Sequence, residues 1–169
     1  RCLPTMLAAA RQVATDQYEI IVAAAPGVED DFYQAFLQSE TLTRDTYALV
    51  ARAQAAVVNS GTATLETALI GCPQTAVYHV TGSKYLEKIL RPIMFKIPHF
   101  TLVNIIPNQE IIQELVASRF TEENIVAELN RLLHDASYRH MMLSNYENLS
   151  KILGNHFAAE TAAEHIITP

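Results

Sequence analysis

The chain has 169 residues, half of them apolar, and carries a formal net charge of −6 at pH 7. This length and composition suffice for one well-buried domain, or for one domain with a helical extension. The negative charge and the lack of Lys/Arg clusters argue against a nucleic-acid binder, which would carry a basic stripe.

The two cysteines, Cys2 and Cys72, are far apart and belong to no CxxC or Cys/His ligand pattern. The sequence therefore predicts a reducing compartment and no zinc site. No apolar run approaches the roughly 20 residues of a membrane span, so we expect a soluble or peripheral protein. Because the chain starts at Arg1 inside a predicted helix, without Met, we expect it to be a fragment.

The first part of the chain alternates between helical and strand patterns. Asp45 is a suitable N-cap for one of the helices, and Pro26-Gly27 separates the first strand from the helix that follows. Such alternation implies a parallel sheet with right-handed crossovers, that is, an α/β Rossmann-like sheet with flanking helices. The predicted elements are helices over 3–15, 30–37 and 45–53, and strands over 18–24, 41–43 and 55–58.

Residues 57–66 indicate a buried strand that delivers a small-residue turn into the start of a helix. A helix N-terminus carries about half a positive charge and unpaired N–H donors, so a phosphate or diphosphate can sit on Gly61 and Thr62. Gly61 has no Cβ to block close backbone approach, and Thr62 or Thr64 can cap the helix. One turn further, Glu66 can accept hydrogen bonds from ribose hydroxyls. Ordinary helix capping without any ligand is the competing interpretation.

After this helix, Gly71-Cys72-Pro73 is a typical helix stop. Asn104 ends the predicted last strand and Gln109 and Glu110 follow it, so we expect these three residues to converge with residues 60–66 at the carboxyl edge of the sheet. Alternatively, Asn104 closes a turn and Glu110 complements a helix dipole. The predicted elements are strands over 74–80 and 101–104, helices over 83–90 and 110–116, and an apolar loop over 93–100 that covers the core or faces a membrane.

From Thr121 onward the pattern is entirely helical, with Thr121 as a cap and two further helices over 137–153 and 158–167. Gly154-Asn155 is the predicted break between the last two. We therefore expect two parts, a Rossmann-like domain over 1–120 and helices over 121–169 that pack on it or extend from it.

Familiar catalytic motifs are missing from the sequence. There is no Gly-x-Ser-x-Gly elbow, P-loop or dinucleotide fingerprint, and the six histidines show no metal-ligand spacing. No Asp-x-Asp motif is visible, so we expect no metal and no cofactor.

Four segments together resemble the C-terminal half of lipid-A-disaccharide synthases, which are inverting GT-B glycosyltransferases. The resemblance covers most of the chain. The segments are Ser-Gly-Thr-Ala-Thr-Leu-Glu at 60–66, Ala-Leu-Ile-Gly-Cys-Pro at 68–73, Val-Tyr at 77–78, and Leu-Val-Asn-Ile-Ile at 102–106 with Glu110.

The resemblance implies the donor-binding half of an enzyme that transfers 2,3-diacylglucosamine from UDP to 2,3-diacylglucosamine 1-phosphate (lipid X) in lipid A biosynthesis. It implies that the catalytic base belongs to another half, so that this fragment alone is inactive and holds no catalytic residue. It also implies a cytoplasmic protein peripheral to the inner membrane, and it leaves homo-oligomer formation open. The implied donor-binding residues are Ser60, Gly61, Thr62, Thr64, Glu66, Tyr78, Asn104, Gln109 and Glu110.

The chain departs from the family pattern at two positions. The family usually has Ala-Gly-Arg where this chain has residues 107–109, Pro-Asn-Gln, and often has Arg where His79 stands. Each replacement removes a fixed positive charge. A non-catalytic nucleotide-binding module and a UDP-sugar epimerase are the alternatives, and the epimerase would need an acid and a base beside the sugar.

Overall fold

The computed structural model describes residues 1–59, 61–79 and 98–154. Ser60, the predicted helices over 83–90 and 158–167, Asn155 and most of the predicted apolar loop lie outside the described residues.

In the described residues, helices and strands alternate along the chain up to the third strand, as the sequence predicts. The helices are α1 Leu3–Val13, α2 Asp30–Gln34, α3 Thr46–Arg52, α4 Thr62–Ile70, α5 Leu102–Ile105, α6 Glu122–His134 and α7 Ala136–Leu153. The strands are β1 Ile21–Ala23, β2 Thr41–Thr43, β3 Ala56–Asn59, β4 Gln74–Tyr78 and β5 Glu114–Val116.

All the described strand pairs are parallel, which confirms the α/β class. Hydrogen bonding groups the strands into a pair, β1-β2, and a three-stranded sheet in the order β3-β4-β5. In the larger sheet Asn59 lies opposite Val77, and Tyr78 lies opposite Val116. The three strands therefore end at a common carboxyl edge.

Helices cover both faces of the three-stranded sheet, because its side chains alternate between two apolar cores. Ala76 of β4 belongs to the core that includes residues of α4, α5 and α7. Its neighbour Val77 belongs to the opposite core, with residues of α1 and α6. The helices after residue 121 thus complete both layers, whereas the division of the chain into two domains at residue 120 stays a prediction.

Several local signals in the sequence are confirmed. Asp45 accepts a hydrogen bond from the backbone N–H of Ala48 at 3.1 Å and caps α3, and Thr121 caps α6 through Asn124 at 3.2 Å. Gly71 ends α4 with φ +91°, the left-handed conformation that favours glycine.

Two predictions between residues 101 and 116 are wrong. Residues predicted as a strand over 101–104 form helix α5, and the predicted helix through Val116 is strand β5. Short apolar runs do not distinguish the two states by periodicity. Tertiary partners decide instead, since β4 supplies the ladder for β5 and the Glu114 carboxylate binds the backbone N–H groups of Phe100 and Thr101 at the start of α5.

An ion pair ties α1 to the segment before β2. Arg11 Nε donates to Glu40 Oε1 at 2.5 Å, and Arg11 also donates to the carbonyl of Phe36 at 2.9 Å. The hydrogen bond from Arg11 lowers the pKa of Glu40 from about 4.5 to about 2. A carboxyl whose pKa is depressed in the folded state stabilises the fold above its ordinary pKa, and this stabilisation is lost as the pH falls through the folded value.

We therefore expect Glu40→Gln to lower the free energy of unfolding at pH 7 and to weaken its fall between about pH 4.5 and pH 2. Urea denaturation of the complete protein across this range measures both effects. Glu147→Gln, on an exposed part of α7, is the control and should follow the wild-type curve. An unchanged pH profile in Glu40→Gln would contradict this account of the ion pair.

Candidate functional site

The carboxyl edge of the three-stranded sheet brings together the end of β3, the start of α4 and the end of β4. β3 ends at Asn59, and α4 begins three residues later at Thr62. Tyr78, the last residue of β4, lies one position beyond the pair formed by Asn59 and Val77. Open parallel sheets bind their ligands outside this edge.

Gly61 occupies a backbone conformation that side chains rarely adopt. Its φ of +157° and ψ of −164° lie in a region that is essentially restricted to glycine. A Cβ built on Gly61 would meet no atom of the described residues within 4 Å. The backbone conformation therefore favours glycine, and the described residues leave the space beside it open.

Among the described residues, no side chain caps the first turn of α4. The prediction that Thr62 or Thr64 caps it is wrong, because Gly61 occupies the N-cap position and Thr64 points inward. Thr64 is fully buried, and its hydroxyl donates to the carbonyl of Gly61 at 2.8 Å. Thr62 is exposed, and its hydroxyl has no hydrogen-bond partner among the described residues. The open donors at the start of α4 therefore adjoin a free hydroxyl.

Glu66 lies one turn after Thr62 on the same stripe of α4, since residues four apart on a helix are neighbours. Its carboxylate is exposed and accepts a hydrogen bond from the hydroxyl of Tyr47 at 3.1 Å, which raises the pKa of Tyr47. The contact links α3 to α4 and holds the carboxylate.

Tyr78 presents 47% of its surface to solvent at the carboxyl end of β4. His79 is also exposed, and its ring packs edge-on against Phe120 with centroids 6.0 Å apart. The carboxyl edge thus carries an aromatic ring and an imidazole beside the start of α4.

The start of α1 reaches the same edge. The thiol of Cys2, which directly precedes α1, lies 3.5 Å from the side-chain oxygen of Asn59. Helices α1 and α4 therefore direct their N-terminal ends, the positive ends of their dipoles, toward one region.

Asn104 does not end a strand, contrary to the sequence prediction, but lies in α5 and is fully buried. Its amide nitrogen donates to the carbonyl of Ile112 at 2.8 Å and to Glu114 at 3.0 Å. Its oxygen accepts from the backbone N–H groups of Ile111 and Ile112 at 2.7 and 3.0 Å. All four of its hydrogen-bonding positions are used within the chain, and a nucleotide contact by Asn104 stays a prediction.

Gln109 and Glu110 lie toward the amino edge of the sheet, whereas Gly61 follows the carboxyl end of β3. Both precede the first residue of β5, whose carboxyl end is at the other edge. Glu110 is close enough to contribute to the raised pKa of Tyr138 in α7, and it accepts a hydrogen bond from Gln113 at 3.1 Å. Their predicted convergence with residues 60–66 is therefore wrong, because the strand that we placed before them follows them.

Glu114 is a polar centre that the sequence reasoning missed. This nearly buried carboxylate accepts hydrogen bonds from the backbone N–H groups of Phe100 and Thr101, from the Thr101 hydroxyl and from Asn104. A single acidic residue inside an apolar stretch is the signal that could have revealed it, because buried charges require partners. Glu114 and Asn104 together fix α5 against β5.

We expect Asn104→Ala to lower the free energy of unfolding by about 1–3 kcal/mol, the cost of leaving a buried group without its hydrogen-bond partner. Gln109→Ala, at an exposed position in the segment after α5, should change stability by no more than about 0.5 kcal/mol. Urea denaturation of both variants measures the difference. Equal stability of the two variants would contradict the structural role of Asn104.

In the described parts of the chain, no helix has both the length and the apolar character needed to cross a bilayer. No three His, Cys, Asp or Glu side chains there are grouped so that they could hold a metal ion.

Comparison with known proteins gives consistent results. The family model for lipid-A-disaccharide synthetase matches residues 3–166. A lipid-A-disaccharide synthase from Koribacter versatilis is 31% identical over 176 residues, covering 98% of this chain and 45% of the relative. The corresponding protein from Syntrophus aciditrophicus is 35% identical, covering 99% of this chain and 45% of the relative. The chain thus spans less than half the length of these relatives.

Proposed function

This chain belongs to the lipid-A-disaccharide synthetase family, and we propose that it is the donor-binding half of a glycosyltransferase of lipid A biosynthesis. In the proposed reaction, a hydroxyl of lipid X attacks the anomeric carbon of UDP-2,3-diacylglucosamine. The bond from that carbon to the diphosphate breaks with inversion, and the hydroxyl proton passes to a base. The products are lipid A disaccharide 1-phosphate and UDP.

The observation that carries the proposal is the uncapped start of α4 at the carboxyl edge of the sheet. Negative charge develops on the diphosphate as the glycosidic bond breaks, and preorganised donors stabilise it. Such donors are the backbone N–H groups at Gly61 and Thr62 and the Thr62 hydroxyl. The dipoles of α1 and α4 add positive potential at the same place, so these groups can stabilise the diphosphate without a metal ion.

The exposed residues next to this turn suit the rest of the nucleotide. Glu66 offers carboxylate oxygens to the ribose hydroxyls, and Tyr47 holds it in place. The exposed ring of Tyr78 offers an apolar surface to the nucleotide at the neighbouring strand end. We assign no donor contact to Gln109 and Glu110, because both precede β5 and so lie toward the amino edge of the sheet.

The complete protein would hold lipid X and the catalytic base in a second half. We therefore propose that residues 1–169 alone bind UDP without catalysing transfer. Because the proposed acceptor and donor both carry acyl chains, we also propose that the protein is cytoplasmic and acts at the surface of the inner membrane.

Thr62→Val tests the site, because it removes the hydroxyl and keeps the shape of an exposed side chain. We expect it to weaken UDP binding by about 1.5–3 kcal/mol, the range for hydrogen bonds to charged groups. Thr46→Val is the matched control, since Thr46 is the first residue of α3, whose N-terminus Asp45 already caps. Isothermal calorimetry with UDP on the complete protein measures both affinities.

Equal weakening in Thr62→Val and Thr46→Val would contradict this site. No UDP binding by the wild-type protein would contradict the proposed function itself.

A further inference from the structure

Buried polar groups connect the first residue of β4 to the turn at Gly61. The amide nitrogen of Gln74, the first residue of β4, donates to the backbone carbonyl of Thr64 at 2.8 Å. The Thr64 hydroxyl in turn donates to the carbonyl of Gly61 at 2.8 Å. Both side chains are completely buried.

Tyr146 of α7 adjoins the other end of this connection. Its hydroxyl and the side-chain oxygen of Gln74 are both buried, and neither has a partner in hydrogen-bond geometry. Burial raises the pKa of Tyr146, and Gln74 is the main neighbour that opposes this shift. Gln74 lies on the same face of β4 as Ala76, which packs in the same core as Tyr146. A hydrogen bond between the Tyr146 hydroxyl and the Gln74 side-chain oxygen would satisfy both groups, and a buried polar group left unpaired is unfavourable.

The geometry of the peptide bond makes this connection relevant to the site. The carbonyl of Gly61 and the N–H of Thr62 belong to one planar trans peptide, in which the two groups point in opposite directions. The Gly61 carbonyl is held toward the helix by the hydroxyl and the backbone N–H of Thr64, at 2.8 and 3.3 Å. The N–H of Thr62 must then point away from the helix, toward the open side.

Gly61 cannot maintain this orientation unaided, because glycine rotates freely and the start of α4 has no side-chain cap. We propose that Tyr146 and Gln74 are positioning residues, which act through Thr64 to aim the Thr62 N–H at the diphosphate. This inference rests on the proposed function. It gives α7 a role in nucleotide binding without placing Tyr146 in contact with the ligand.

Tyr146→Phe, Gln74→Met and Thr64→Val each remove polar atoms while keeping most of the side-chain volume. In the complete protein we expect Tyr146→Phe to weaken UDP binding about 3- to 10-fold, as the loss of one ordinary hydrogen bond does. The double variant of Tyr146→Phe with Gln74→Met should bind UDP more tightly than the product of the two single losses predicts, because the residues act in one network.

Tyr138→Phe is the matched control. Tyr138 is in the same helix, and its hydroxyl donates to Glu128 at 2.6 Å, away from the turn. Both tyrosine variants are also tested for melting temperature, which a purely structural hydroxyl would change without altering UDP affinity. Tyr138→Phe should leave UDP affinity unchanged.

Wild-type binding of UDP with unchanged affinity in Tyr146→Phe and Thr64→Val would overturn this inference alone. A wild-type protein that binds no UDP would overturn the proposed function and this inference with it. If Gln74→Met fails to fold, the comparison of Tyr146→Phe with Tyr138→Phe still decides the matter.

Discussion

The parallel pairing of β3 with β4 is the constraint on which the rest of the described structure depends. It places Asn59 opposite Val77 and so sets where α4 must begin. It also sends alternate side chains of β4 into two separate cores, which helices from both ends of the chain must cover. Because α1 and α6 pack on one face and α4, α5 and α7 on the other, neither core is complete without the C-terminal helices.

The same pairing divides the polar groups of the chain into two sets, one exposed at the carboxyl edge and one buried around α5. Groups at the carboxyl edge, such as Thr62 and Glu66, are exposed and retain capacity for a ligand. Asn104 of α5 and Glu114 of β5 use their polar atoms on one another and on the backbone. The exposed groups are the ones that we propose bind the nucleotide, whereas Asn104 and Glu114 hold a short helix that has little stability of its own.

Much of the fold was predictable because its signals are local. Asp45 and Thr121 cap helices through residues three positions away, and Gly71 ends α4 through its own backbone conformation. The segment from Thr101 to Val116 was not predictable, because its helix and strand are selected by Glu114 and by β4. The same limitation affected the site. The turn at Gly61 follows directly from its own sequence, whereas placing Gln109 and Glu110 required knowing which strand they precede.

We propose that a nucleotide binds at the start of α4, at the carboxyl edge of the sheet. Hydrogen exchange of the complete protein with and without UDP, followed by mass spectrometry of peptides, locates the binding site. UDP should slow exchange in peptides covering residues 57–66 and leave those covering 106–113 unchanged. Protection confined to 106–113, with 57–66 exchanging at the same rate in both states, would contradict it.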